Sequence, residues 1–216
     1  MATKTDRLLR NTLLGGLILG LFALVAGLLV ATTYENTKDR IKENERQSIL
    51  RALHSLIPPE RHDNDIYADM ITVQAAGLGY RGGLAKIYRA RMGEVPVAAI
   101  LEVIAPDGYG GPIKLLVAVN FDGRLAGVRV VSHAETPGLG DGIEEEKSNW
   151  IHQFDDRSLI NTPPRLWAVK KDGGVFDQFT GATITPRAVV KAVYKALNYY
   201  ELYLEQIFTA PSEPHE

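Results

Sequence analysis

A long uncharged segment near the amino terminus constrains this chain more than any other feature. Residues 11–34, NTLLGGLILGLFALVAGLLVATTY, contain no charged side chain, and about 20 apolar residues are enough for a helix to cross a bilayer. A removed signal peptide is the alternative, but its apolar core is only about 7–15 residues long and precedes a small-residue cleavage site. Here ATTYEN leads directly into polar sequence. The segment therefore predicts an uncleaved, single transmembrane helix.

The charges around this helix predict its orientation. Lys4, Arg7 and Arg10 precede it with only Asp6 opposing them, whereas residues 35–51 mix both signs. Because positively charged flanks favour the cytoplasmic side, we expect residues 1–10 to be cytoplasmic and the rest of the chain to be periplasmic, in a Gram-negative inner membrane. The net charge of −2 provides no basic field for nucleic acid. The sequence contains no cysteine and therefore no disulfide framework.

The remaining sequence predicts a stalk followed by one α+β domain. Apolar residues at helical spacing before Pro58 predict a stalk helix, which together with a polar linker covers residues 35–66. Residues 67–208 form the predicted domain, and residues 209–216 a flexible tail. Short β-type runs separated by glycine-containing turns predict antiparallel strands. These runs are MITVQA, AKIYRARMG, VPVAAILEVIAP, IKLLVAVNFDG and LAGVRVVSHAE, and the last two form the clearest hairpin.

Three later segments complete the predicted domain. EEEKSNWIHQF predicts a short helix, RLWAVKK predicts a strand, and residues 186–207 predict a long C-terminal helix. Apolar residues recur on one face of that helix, which predicts that it packs on the domain core. They are Ala188, Val189, Ala192, Val193, Ala196, Leu197 and Tyr200.

A cluster of threonines before the C-terminal helix is the main candidate for chemistry. The sequence TGATIT brings together Thr180, Thr183 and Thr185. Thr185 followed by Pro186 predicts a helix start, with the threonine oxygen at the N-cap and proline at the first helical position. Thr183 would then lie beside free N–H groups at the positive end of the helix dipole, a position that suits a phosphate. An ordinary capped turn is the alternative interpretation.

This motif and its surroundings resemble a known family. Residues 180–183, TGAT, resemble the (Ser/Thr)-Gly-Ala-Thr motif of periplasmic FMN-binding domains. The membrane anchor, the total length and the segments GYGGPIKLLVAV, SHAETPGLGD, NWIHQF and FDQFTGATITPRAVVKAV resemble the G subunits of Rnf (Rsx) electron-transport complexes along the whole chain. The C subunit of the sodium-translocating NADH:quinone oxidoreductase shares the threonine motif, but GYGGPI and the compact length favour the Rnf family.

The resemblance implies a covalently bound flavin. In the family, the last threonine of the motif carries FMN through a phosphoester to its hydroxyl, and a separate flavin transferase installs the FMN from FAD; that threonine corresponds to Thr183. The phosphate could also meet Arg187. Further flavin neighbours are carried over from the motif, the ETPGLG loop and the end of RLWAVKK. They are Thr180, Gly181, Ala182, Glu135, Thr136, Gly138, Leu139, Gly140 and Lys170.

Several of these residues have alternative interpretations. His133 and Glu135 lie two positions apart, the minimal beginning of a metal site, but the other histidines are scattered and a polar turn is favoured. Lys170 could equally be a solvated surface lysine. The glycines of GYGGP could approach a flavin or form a plain hairpin turn, and we expect the turn, with Tyr109 packed nearby.

The resemblance also implies a function. The chain would be a redox subunit of a membrane complex, passing electrons between reduced ferredoxin or NADH and the opposite carrier, with coupled ion movement. Its partners would be membrane, iron–sulfur and flavin subunits of that complex. No side chain is expected to act as acid or base, and no metal is expected. The alternatives are the equivalent flavin subunit of the sodium-translocating enzyme and a cofactor-free binding or sensor module on a membrane anchor.

Overall fold

The computed structural model describes residues 4–74, 76–80 and 82–213. The chain divides into two compact units, Met1–Ile49 and Leu50–Glu216. A single helix, α1, runs over Lys4–Leu56 and contributes its last two turns to the second unit.

The first unit consists of the amino-terminal part of α1. An 18-residue window of this helix has a mean hydropathy of 2.7, which makes the helix long and apolar enough to cross a membrane. Its apolar side chains are exposed, as for Leu17, Phe22 and Val30. A helix with exposed apolar side chains along its length is unfavourable in water and favourable in lipid. This exposure agrees with the predicted transmembrane helix.

The second unit is built on a five-stranded antiparallel sheet in sequential order. The strands are β1 Met70–Gln74, β2 Leu84–Met92, β3 Val95–Ala105, β4 Ile113–Asn120 and β5 Leu125–Ser132. Each strand coincides with one of the predicted β-type runs, except that β2 begins one residue before its run, at Leu84, so the antiparallel α+β prediction is confirmed. Glycines with left-handed backbone conformations make the tight turns between β2 and β3 and between β4 and β5, where Gly93 and Gly123 have φ values of 57° and 85°.

Both faces of the sheet are covered. Helix α2, Ile184–Thr209, packs on one face, where Val193 and Leu197 join Leu101 and Val117 in the main hydrophobic core. Residues 50–69 cover the opposite face. A side chain at Gly127 of β5 would meet Leu56, and Tyr67 stacks on Tyr88 of β2 with ring centroids 6.1 Å apart. The sheet is therefore buried on both sides, which explains its nearly continuous apolar strands.

A buried ionic cluster fixes the C-terminal end of α2 to the sheet. Arg89 of β2 is 1% exposed and donates hydrogen bonds to Asp69 and to the carbonyl oxygens of Ile207 and Ala210, the latter two at 3.0 and 2.6 Å. Arg91 donates to the other oxygen of Asp69 at 2.9 Å and to the carbonyl of Phe208 at 2.8 Å. These side chains satisfy carbonyl groups of the last helical turn that have no partner within the helix.

Of two local predictions after the sheet, the strand is wrong and the short helix holds over a shorter range. The strand predicted for RLWAVKK is wrong, because this segment contains parts of two 3₁₀ helices, Pro164–Leu166 and Lys170–Asp172. Among the described residues, it does not pair with any strand of the sheet. Pro163 and Pro164 supply no N–H for strand pairing, and Gly173 turns the chain back with φ 85°. The short helix predicted at EEEKSNWIHQF is a 3₁₀ helix over Asn149–Phe154, in which Ser148 accepts from the Trp150 amide.

Candidate functional site

Three loops and the start of α2 enclose a cavity of about 320 Å³. The loops are those following β3 and β5 and the one preceding α2. Cavities of about 300 Å³ and more, with a mixed apolar and polar lining, are typical ligand sites. The lining residues are Tyr109, Glu135, Thr136, Leu139, Gly140, Gly181, Ala182, Thr183, Ile184 and Thr185.

Thr183 lies immediately before α2, at the helix N-cap position. Its backbone is helical, with φ −73° and ψ −24°, and its carbonyl accepts the first helical hydrogen bond from Arg187 at 3.3 Å. Its hydroxyl caps no N–H group and makes no hydrogen bond to any described residue. The cavity therefore contains a free hydroxyl next to the amino-terminal end of a long helix, where the N–H groups favour an anion.

The predicted N-cap at Thr185 is wrong. The helix begins at Ile184, two residues before the predicted first helical residue Pro186, so that Thr185 and Pro186 both lie inside its first turn. Thr185 is fully buried, and its hydroxyl donates a short hydrogen bond to Glu135. Thr185 and Glu135 are 50 positions apart in the sequence. This tertiary contact outweighs the local preference of threonine for the N-cap position.

Glu135 holds the walls of the cavity together. Besides the Thr185 hydroxyl, its carboxylate accepts the Gly110 amide at 2.9 Å. The carboxylate is packed against glycines on two sides. A methyl group at Gly140 would come within 2.8 Å of one carboxylate oxygen, and one at Gly108 within 2.8 Å of the other. Glu135 thus connects the β3–β4 loop to α2, and the surrounding glycines make room for it.

Most of the predicted flavin neighbours line this cavity, but three do not. Glu135, Thr136, Leu139, Gly140, Gly181 and Ala182 line it together with Thr183. Thr180, Gly138 and Lys170 lie outside the lining. The Lys170 amine pairs with Asp177 at 2.5 Å in an exposed ion pair.

Arg187 is also occupied elsewhere. Its guanidinium forms two hydrogen bonds to Asp172, at 2.5 and 2.6 Å. These hydrogen bonds lower the pKa of the Asp172 carboxyl. An anion in the cavity would therefore rely on the N–H groups of the helix start rather than on this side chain.

Tyr109 is the main cavity residue that the sequence interpretation missed. The GYGGP segment does make the turn between β3 and β4, but the Tyr109 side chain is 70% exposed and lines the cavity instead of packing on the domain. Ile184, 46% exposed, was missed as well. A large aromatic residue in a loop between two strands is the signal that could have identified Tyr109, because loops held by a rigid scaffold often carry binding residues.

The residues around His133 do not form a metal site. Its Nδ1 accepts the Glu135 amide at 3.0 Å, and its Nε2 lies 2.9 Å from a Glu144 carboxylate oxygen. Within the described part of the chain, no group of three or more His, Cys, Asp or Glu side chains could hold a metal ion. Both ring nitrogens of His133 thus have partners within the polar segment that follows β5.

The donor set fits a phosphorylated aromatic cofactor. One end of the cavity offers a free hydroxyl and a helix start, which suit a phosphate. The remaining lining offers exposed apolar surface from Tyr109, Leu139 and Ile184. Apolar surface beside an anion site is the pattern that a flavin mononucleotide requires.

Comparisons with known proteins agree with this geometry. A family model described as FMN-binding domain matches residues 108–198, and a second, described as RnfG N-terminal region, matches residues 1–56. Three relatives are each named as the G subunit of an ion-translocating oxidoreductase complex. The protein of Pseudomonas aeruginosa is 50% identical over 204 residues, covering 94% of this chain and 95% of the relative. That of Shewanella baltica is 48% identical over 197 residues (91% and 92%), and that of Aliivibrio fischeri 46% over 196 residues (90% and 93%).

Identity at this level over nearly the whole of both chains, together with matches to both family models, establishes the relationship. The FMN-binding domain model spans every residue that lines the cavity. The chain belongs to the family of G subunits of ion-translocating oxidoreductase complexes.

Proposed function

We propose that this protein carries FMN covalently, through a phosphoester between the flavin phosphate and the Thr183 hydroxyl, and that it transfers electrons within a membrane complex. The observation that carries this proposal is the free Thr183 hydroxyl, which lines the cavity at the start of α2. The match of residues 108–198 to an FMN-binding domain supports the choice of ligand.

Of the three threonines in the motif, Thr183 suits attachment best. Thr185 is fully buried and its hydroxyl is committed to Glu135. Thr180 is exposed but lies outside the cavity lining. Thr183 combines partial exposure with a position in the cavity, so a transferase could reach its hydroxyl and the attached flavin could still occupy the site.

The start of α2 supports a phosphate at this position. A phosphodiester keeps one negative charge, and the partial positive charge of a helix N-terminus stabilises an anion by about 0.3–1 kcal/mol at an exposed site. No side chain of the described residues caps this helix end, so its first N–H groups are available to phosphate oxygens. Gly181, with φ 81°, turns the loop before α2. Because glycine has no Cβ, this residue leaves room for a phosphate to approach Thr183.

In this account the protein positions the cofactor and tunes its surroundings, while bound FMN supplies the capacity to accept and release electrons. Thr183 fixes one end of the cofactor, and the apolar lining from Leu139 and Ile184 would limit water at the other. Glu135 holds these walls in place through its hydrogen bonds to Gly110 and Thr185. No acid or base from this chain is required, because the chemistry is electron transfer.

The comparisons favour an Rnf-type complex over the alternatives. The match to the RnfG N-terminal region and the names of the relatives distinguish this chain from the sodium-translocating NADH:quinone oxidoreductase. A cofactor-free module would not account for the FMN-binding domain match. We therefore assign other Rnf subunits as partners in electron transfer and a flavin transferase as the partner in maturation.

The electron-transfer role is tested in membranes that contain the whole complex. We expect a complex with Thr183→Val to assemble, because the Thr183 hydroxyl makes no hydrogen bond to any described residue. Its NADH- or ferredoxin-linked electron transfer should fall to background. Thr180→Val is the matched control and should keep the wild-type rate. An assembled Thr183→Val complex with the wild-type rate would refute the proposed role.

We also propose that the protein spans the inner membrane once, with residues 1–10 in the cytoplasm and the FMN-binding domain in the periplasm. The family and the single apolar helix support the membrane location. The basic residues before the helix support the orientation. A periplasmic site would also make covalent attachment useful, because a dissociated cofactor would be lost from the cell envelope.

The orientation can be tested directly because the native chain has no cysteine. We expect Asp122→Cys, in the exposed β4–β5 turn, to react with a membrane-impermeant maleimide in cells whose outer membrane alone is permeabilised. Thr5→Cys should react only after the inner membrane is opened. The reverse labelling pattern would show that the orientation is inverted.

A further inference from the structure

Tyr109 has an unusual combination of exposure and position. It is the aromatic side chain among the described residues that line the cavity, and 70% of its surface is exposed. Its ring has no stacking partner, and its hydroxyl no hydrogen bond, among the described residues. It shares the cavity with two other exposed apolar side chains, Leu139 and Ile184. Tyr109 therefore presents to the site an aromatic ring that no described residue covers.

The backbone that carries Tyr109 is held firmly although its side chain is free. The Gly110 amide donates to the buried Glu135 carboxylate at 2.9 Å. A methyl group at Gly110 would lie 1.8 Å from the Ala134 carbonyl oxygen, and one at Gly108 would lie 2.3 Å from that of Gly111. Both flanking glycines are thus in close contact with neighbouring backbone. This loop presents an aromatic ring from a fixed position.

We propose that Tyr109 stacks on the isoalloxazine ring of the FMN and forms the aromatic wall of its site. This inference rests on the proposed attachment at Thr183. Planar aromatic groups prefer offset-stacked or edge-to-face contact with centroids about 4.5–7 Å apart. A tethered flavin in this cavity has one such partner among the described lining residues, and its ring would cover the apolar surface that Tyr109 exposes.

The contact has two measurable electronic consequences. The phenol ring of tyrosine is electron-rich, so stacking stabilises the electron-poor oxidised flavin more than the electron-rich reduced flavin and lowers its midpoint potential. A stacked tyrosine also donates an electron transiently to photoexcited flavin, which then returns to the ground state without emission. The native protein should therefore hold its flavin at a lower potential, and with weaker fluorescence, than a protein without this ring.

The test compares variants in the full-length protein, produced with a flavin transferase and purified in detergent. Tyr109→Leu removes the ring, and Tyr109→Phe keeps a ring that does not donate an electron. Tyr203→Leu is the control, because Tyr203 lies on α2, packs on Tyr199 and does not line the cavity. Intact mass gives the amount of covalent FMN in each sample, so that fluorescence and midpoint potential are compared per bound flavin.

We expect Tyr109→Leu and Tyr109→Phe to raise the fluorescence per flavin several-fold. Tyr109→Leu should also shift the midpoint potential to a more positive value. Tyr203→Leu should change neither the fluorescence nor the potential. Fully loaded Tyr109→Leu protein with wild-type fluorescence and potential would overturn the stacking proposal and leave the attachment proposal intact. Absence of covalent FMN from the wild-type protein would overturn both.

Discussion

Replacing Thr183 with valine is expected to abolish covalent flavin attachment. When the protein is produced with a flavin transferase, the wild type should show a fluorescent band after denaturing electrophoresis and the Thr183→Val variant none. Valine has nearly the same shape as threonine but lacks the hydroxyl oxygen that would form the phosphoester. Because that hydroxyl has no hydrogen bond within the described residues, the fold should be unaffected.

The matched control for this experiment is Thr180→Val, which removes a hydroxyl from the same loop outside the cavity lining. It should keep the fluorescent band. Circular dichroism would show that both variants remain folded. Persistence of the band in folded Thr183→Val protein would show that the flavin is attached elsewhere or held by other means.

The second large effect is expected on stability, from Asp69→Asn. Asp69 is the anion between Arg89 and Arg91, and the Arg89 side chain is 2% exposed. Removing one partner of a buried ion pair leaves an uncompensated charge and typically costs about 3–5 kcal/mol. Arg89 also binds carbonyl oxygens at the end of α2. We therefore expect the free energy of unfolding of the variant to be about 3 kcal/mol lower than that of the wild type, so that the variant unfolds at a lower urea concentration.

This contribution should depend on pH in a defined direction. Burial alone would raise the pKa of Asp69, but hydrogen bonds from Ser212, Arg89 and Arg91 together hold its pKa below the ordinary value of 3.8. A carboxyl with a lowered pKa in the folded state stabilises the fold above its unfolded pKa and loses that stabilisation as pH falls through its folded pKa. The stability difference between wild type and Asp69→Asn should thus be constant at neutral pH and shrink below about pH 4.

Urea unfolding followed by tryptophan fluorescence measures this effect, since both tryptophans, Trp150 and Trp167, lie in the second unit. Glu94→Gln is the control, because Glu94 is exposed in the β2–β3 turn. Such surface changes usually alter stability by less than about 0.5 kcal/mol. Equal midpoints for wild type and Asp69→Asn at pH 7 would show that the cluster does not stabilise the domain.

The sheet was predictable because its signals are local. Each strand is a run of residues with high β propensity, bounded by glycine-containing turns, and both hairpin turns at Gly93 and Gly123 use the left-handed conformation that glycine allows. The segment before α2 was less predictable. RLWAVKK has the composition of a strand, yet the neighbouring prolines and Gly173 fold it into 3₁₀ turns.

The site could be predicted only in part, for a different reason. The TGAT motif identified the loop and the helix after it, and most of the residues around it do line one cavity. The helix start was misplaced because Thr185 bonds to Glu135, a contact between distant parts of the chain that no local rule contains. The position of Tyr109 depends on the same carboxylate, which holds the adjacent Gly110 amide.

Glu135 therefore explains both errors. Its buried carboxylate draws Thr185 into the helix and away from the N-cap, which leaves the hydroxyl of Thr183 free in the cavity. It also fixes the loop that presents Tyr109. In the sequence, Glu135 looks like one residue of a polar turn. In the structure, it connects the loops of the site to the start of α2.

Peptide mass mapping of the wild-type protein, produced with a flavin transferase, tests most directly whether FMN is attached to Thr183. Trypsin should release residues 172–187 as one peptide, DGGVFDQFTGATITPR, which contains all three threonines of the motif. We predict that this peptide carries the mass of FMN less one water, and that fragmentation locates the added mass on Thr183. An unmodified peptide despite an active transferase, or FMN located on Thr180 or Thr185, would show that Thr183 is not the attachment residue.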